Sequence, residues 1–234
     1  INKVLYRYKG KAPKNSTLVV KEGTTLITQG AFSNCSNITS IILPEGLITI
    51  GDRAFYNCRS LDSLHIPKSV KQVGMDAFVG TPWFTKHKNN ALYINNILYK
   101  HFGNIPKNVM YHIRPGTQII AEKAFSGQKK LCAISIPNSV TTIGISAFDN
   151  CTHLTTINTP DSINPMLEQA LVRTNWFKYI EGPVYINKIL YRYKNIGNNT
   201  SFIIKDSTIA IHKNAFRGNV RLTHVRIPES VTSI

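Results

Sequence analysis

Apolar residues recur along this chain at a spacing that neither an amphipathic helix nor one alternating strand produces. Leu61, Leu64 and Ile66 are apolar, Asp62, Ser63 and His65 stand between them, and Pro67 follows. The same order begins at Ile38 (Ile38, Ile41, Leu43, Pro44) and at Leu131 (Leu131, Ile134, Ile136, Pro137). After each proline come a second short apolar segment, a glycine in most copies (Gly51, Gly74, Gly144), and an Ala-Phe pair. Phe32, Phe55 and Phe78 recur every 23 residues, as do Pro44 and Pro67, and Cys35 and Cys58. A period of this length marks a solenoid in which each unit is one rung that cannot bury its apolar face alone.

The pattern predicts the elements of a rung. Leu61 to Ile66 reads as a short strand with Leu61, Leu64 and Ile66 inward, ended by a proline that cannot donate to a ladder. A second extended segment follows on the opposite side, and the glycines are expected to supply the backbone freedom of the turn after it. The Asp-Arg-Ala-Phe and Met-Asp-Ala-Phe pieces suit one helical or 3₁₀ turn that buries Ala and Phe. Stacking neighbours then buries these anchors, at about 1.5–3 kcal/mol per large side chain. The fold class is a β-rich solenoid with short helical or 3₁₀ turns, and 234 residues allow about ten rungs in a single domain.

A longer period lies over the first. INKVLYRY at 1–8 returns as INNILYKH at 94–101 and INKILYRY at 186–193, which is about four rungs each time. This divides the chain into blocks 1–93, 94–185 and 186–234, and both ends fall within a repeat, as expected of a fragment of a longer protein. From Phe78 to Phe125 the gap is 47 residues, close to two periods, and the segment opens GTPWF (80–84) and continues through INNILYKH; RTNWF (173–177) opens its counterpart. Alternation in these segments predicts hairpins turning at Asn95-Asn96 and Asn187-Lys188. Whether each segment is one swollen rung or two thin ones stays open at this level. The rung at 158–171, with Leu167 for the glycine and Leu171 for the phenylalanine, is expected to be distorted or more helical.

The rungs ITSIILPEGLITIGDRAFYNC and LCAISIPNSVTTIGISAFDNC, with the GTPWF and INNILYK elements, resemble the BspA-like (Treponema pallidum-type) leucine-rich repeats over essentially the whole chain. The resemblance implies a leucine-rich repeat solenoid, exported and displayed on a bacterial surface and often linked to attachment to host proteins or other cells; some microbial eukaryotes carry such proteins too.

Composition sharpens this. Hydrophobic residues make up 42% of the chain and charged residues 17%, which argues against disorder. The formal net charge of +16 favours acidic partners through long-range steering. No apolar run approaches the roughly 20 residues of a membrane-spanning helix. Four cysteines are too few for a disulfide scaffold; Cys35, Cys58 and Cys151 follow the Ala-Phe position by three residues and are expected as reduced, buried thiols. There is no zinc spacing, nucleophile elbow, P-loop or HExxH pattern. The 12 acidic residues form no repeated pair. The expectation is therefore no enzyme and no cofactor.

Two sets of residues remain as candidate contacts. Outward positions of the main strand present Ile42, Asp62, His65, Thr156, Asn158, His224 and Arg226 to a protein, extracellular or from a host. In the variant segments bases interleave with aromatics, and alternate residues of a strand share a face. Arg7, Lys100 and Arg192, with Tyr8, His101 and Tyr193, are the candidate stripe for an acidic glycan or other polyanion. Nucleic acid is disfavoured as a partner, since no nucleic-acid motif accompanies the charge. The chain is expected to be monomeric and either secreted or on the cell surface.

Overall fold

The computed structural model describes residues 3–10, 12–88, 90–160 and 181–234. The described chain is a β-solenoid of about nine turns. It falls into two compact units, one of residues 1–103, 117–125 and 142–147, the other of 104–116, 126–141 and 148–234.

In the first unit the main strands Ser16–Val19, Ile38–Ile42 and Ser63–His65 form a parallel sheet. Ile41 pairs with Leu64, and Ile42 with His65, so the register repeats the 23-residue period. A second parallel sheet holds Lys3–Leu5, Thr24–Ile27, Thr49–Ile50 and Gln72–Val73. The inward residues Ile38, Ile41, Leu47, Ile50, Ala54, Phe55 and Leu61 are buried in one core. The phenylalanines stack: the Phe32 and Phe55 rings lie 5.3 Å apart and the Phe55 and Phe78 rings 5.6 Å apart, nearly parallel in each case. The amides of Phe32, Phe55 and Phe125 donate to the carbonyls of Ala54, Ala77 and Ala147 in the next rung at 2.7, 2.8 and 2.7 Å.

Two local expectations change. Gly51, Gly74 and Gly144 do not supply a left-handed turn. A Cβ on Gly74 would stand 2.3 Å from the Asp52 amide nitrogen, and one on Gly144 2.4 Å from that of Glu122. Glycine is required because the preceding rung's backbone passes against it. The left-handed conformation falls two residues later, at Arg53, Asp76 and Ser146, and likewise at Lys123, two residues after Ala121. This positive φ keeps the Ala-Phe segment a hydrogen-bonded turn where one helical or 3₁₀ turn was expected. Among the described residues the one α-helix is Pro82–Thr85, where Thr81 caps the start by accepting from the Phe84 amide at 3.1 Å and Pro82 occupies the first turn.

The gap from Phe78 to Phe125 contains two rungs. The first is a hairpin, Ala91–Ile94 against Ile97–His101, turning through Asn95 in the left-handed region. Asn95 ties the turn down by donating to the carbonyls of Pro67 and Val70. The second is a plain rung. Its main strand Met110–His112 registers with Ala133–Ser135, and its second strand Ile119–Ile120 registers with Ile97 and Leu98.

In the second unit, Met110–His112, Ala133–Ser135 and Thr156–Asn158 are parallel. The hairpin Gly182–Ile186 and Ile189–Lys194, turning at Asn187, continues this sheet: its first strand pairs with Thr156–Asn158 and its second with Ala210–Ile211. The strands Ser201–Ile203 and His224–Arg226 form a separate pair. The RTNWF element and the irregular rung with Leu167 and Leu171 lie outside the described residues.

Candidate binding surfaces

The main strands turn one face to the core and one to solvent. On the outward face of the first unit, register aligns Thr17, Ser40 and Ser63 in one column and Val19, Ile42 and His65 in the next. Val19 is 68% exposed and Ile42 51%. In the second unit the columns read Met110, Ala133, Thr156 and His112, Ser135, Asn158. Ser201 stands beside His224, and Ile203 beside Arg226. Every strand-face residue expected from the sequence is on this outward side: Ile42, Asp62, His65, Asn158, His224 and Arg226 are exposed and Thr156 is half-buried. Asp62 forms an ion pair with Lys86 at 2.6 Å. Val19 and Ile203, the latter 64% exposed, also belong to the face. Their offset of 23 residues from Ile42 and Arg226 was a signal that could have found them.

The basic-aromatic stripe is rearranged. His101 and Tyr193 are buried at 6% and 3% exposure, and Tyr8 is half-buried. All three occupy the phenylalanine position of their rungs. The amides of Tyr8, His101 and Tyr193 donate to the carbonyls of Ala31, Ala124 and Ala215, as the Phe55 amide does to Ala77. In that column Tyr8 packs on Phe32 at 5.9 Å, His101 on Phe125 at 5.6 Å and Tyr193 on Phe216 at 6.0 Å, while Tyr193 also stacks on Phe202 of the main strand at 4.0 Å. Tyr-Arg-Tyr alternation suggested a surface for these rings, but the aromatic members fill the core because the rung needs a large planar anchor there.

The bases differ from one another. Arg7 is exposed, and its charge opposes the rise in the Cys35 thiol pKa that burial causes. Lys100 is half-buried and its Nζ donates to the Lys123 carbonyl at 2.7 Å. Burial lowers the pKa of Arg192. Lys100 borders a cavity of about 150 Å³ lined also by Asp76, Phe84, Tyr99, Phe102 and Glu122.

The four cysteines are not in disulfides. Cys58 is fully buried and donates to the Phe32 carbonyl at 2.9 Å. Burial pushes its pKa up to about 12, which suits a structural thiol. Among the described residues no group of three or more His, Cys, Asp or Glu could hold a metal ion. Among the same residues no helix is long and apolar enough to cross a membrane.

The repeat is that of a known family. The BspA type leucine rich repeat region matches residues 9–90, 95–192 and 185–234, in six copies. The chain is similar in structure to the T. pallidum leucine rich repeat protein, at 18% identity and a TM-score of 0.38, over 98% of this chain and 76% of that one. It is similar to a leucine rich cell surface protein from Faecalibacterium prausnitzii A2-165, at 24% identity and a TM-score of 0.34, over 93% of this chain and 55% of that one. A leucine-rich repeat protein from Bacteroides ovatus shares 18% identity with a TM-score of 0.40, over 93% of this chain and 56% of that one. The chain thus spans little more than half the length of the last two. No curated protein gives a significant match. Repeat sequence, register and core columns agree, and the chain belongs to the BspA-type leucine-rich repeat family.

Proposed function

We propose that the chain is a non-enzymatic interaction module, secreted or displayed at a cell surface, that holds a protein partner through the outward face of its main strands. The observation that carries this reading is the line Val19, Ile42, His65 across three in-register strands, with the two aliphatic side chains more than half exposed. An exposed aliphatic pair framed by small polar residues offers apolar area without a cost in the core, and such patches are where protein contacts form. Membership of a family linked to attachment favours an extracellular or host protein as the partner. The Arg7, Lys100 and Arg192 stripe is the second reading, with an acidic glycan as ligand. It has weaker support, since two of its three aromatic partners are buried and Lys100 is engaged by a backbone carbonyl.

The test uses an immobilised panel of extracellular-matrix and serum proteins. The parent chain is compared with a Val19→Asp/Ile42→Asp variant and with Ile145→Asp, a control residue 51% exposed on another side of its rung. The face variant should lose at least about tenfold in affinity, or about 1.4 kcal/mol, while the control keeps parental binding. Equal binding by all three would remove the strand face from the account.

A further inference from the structure

The second unit carries a concentration of charge that neither candidate surface uses. Residues 104–116 and 126–141 contain Lys107, Arg114, Lys129 and Lys130 and no Asp or Glu. Lys107, Lys129, Lys130 and His153 are all exposed and stand in the turns entering three successive main strands. Those strands are in register, Met110 with Ala133 and Ala133 with Thr156, so the turns stack one rung apart. The second and third turns are joined directly, because a ring nitrogen of His153 bonds to the Lys129 carbonyl at 2.6 Å. The nearby carboxylate, Asp149, accepts from the side-chain amide of Asn150 at 3.2 Å. Arg221 holds the equivalent turn position farther along the chain but is bonded to Asn198.

We infer that this stacked edge, Lys107, Lys129, Lys130 and His153, binds an acidic polysaccharide lying along the stack. Rungs repeat at roughly 4.8 Å, well inside a Debye length of about 8 Å at physiological salt, so the bases act jointly on one chain. A sugar residue advances a polysaccharide by about that same distance, roughly 4.8 Å, so the chain keeps step with the rungs, and the long lysine side chains reach anionic groups that alternate from side to side along it. Other polyanions fit less well. An extended peptide repeats a same-side residue about every 7 Å. A single nucleic-acid strand asks for aromatic platforms, whereas these turns hold no Phe, Tyr or Trp. The edge is separate from the strand face and does not depend on it.

The test is a titration with oligogalacturonates of increasing length, which carry one carboxylate per sugar, at low and at physiological salt. The Lys107→Ser/Lys129→Ser/Lys130→Ser variant is compared with Lys14→Ser/Lys68→Ser/Lys71→Ser, an equal change in charge placed on exposed turns of the first unit. Circular dichroism melts confirm that both fold. Parental affinity should rise with oligomer length and fall with salt. The first variant should lose about tenfold or more at low salt, because three cationic contacts are removed, and the second less than twofold. Equal losses would reduce the effect to net charge and overturn the site. Binding of poly-glutamate as tight as that of oligogalacturonate would overturn the ligand class, and absence of binding at low salt would overturn both.

Discussion

His101 lies flat on Phe125, ring centroids 5.6 Å apart and planes 20° from parallel, in the column that Phe32, Phe55 and Phe78 occupy in the preceding rungs. A histidine therefore does a phenylalanine's work. It brings a titratable ring into the core, and burial lowers its pKa below the usual 6.5.

The sign of the resulting pH dependence follows from that direction. The unfolded chain takes up the proton at a higher pH than the folded chain does. Stability from neutral His101 is thus fully present above about pH 6.5 and is lost as pH falls through 6.5 toward the lowered folded value. His101→Phe should remove this contribution. Thermal melts at pH 8 and pH 5 should show the variant gaining on the parent at the lower pH. An unchanged difference between the two proteins at both values would place His101 outside the core column.

Gly74 tests how closely the rungs approach. Alanine there would drive its Cβ to 2.3 Å from the Asp52 nitrogen, a clash with backbone that no rotamer relieves. Gly74→Ala should cost about 1–3 kcal/mol or more, the range for overpacking. Gly46 has nothing within 4 Å and no left-handed φ, so Gly46→Ala should be neutral or stabilising by up to about 1 kcal/mol. Denaturant melts of the pair decide it; equal effects would contradict the close contact at Gly74.

Thiol labelling at pH 8 reads the cysteine column. Cys58 is buried and its pKa is raised to about 12, so it should remain unlabelled until the chain unfolds. Cys35 and Cys132 are only partly buried and should label first. Rapid native-state labelling of Cys58 would show that its rung is open.

Much of the rung was legible because its signals are local and repeated. Phe32, Phe55 and Phe78 at one spacing, and three apolar residues before a proline, fix which side chains face inward. The hairpins were readable at Asn95 and Asn187 for the same reason: alternation on both sides of a turn-forming residue. Three features were not readable. His101 stands 23 residues after Phe78 and 24 before Phe125, and a polar ring in that slot imitates the exposed half of an alternating strand. The bond from its amide to the Ala124 carbonyl and the stacking of its ring on Phe125 identify the column. Glycine in a repeat reports equally a left-handed φ or a close neighbour, and the distances at Gly51, Gly74 and Gly144 choose the second. The basic edge was hidden because Lys107, Lys129, Lys130 and His153 are scattered in sequence and meet only through strand register. The outward columns at Ile42 and His65 were legible by position, but a sequence names no partner for them.

The central claim is that apolar contact on the strand face, rather than charge, holds the protein partner. It is tested most directly by measuring the affinity for whichever panel protein binds best, at 50 mM and at about 500 mM salt, where the Debye length falls to a few ångströms. The account predicts a change of less than about threefold, since an apolar interface is little screened. A fall of a hundredfold or more, as for a ligand held by several released counterions, would contradict it.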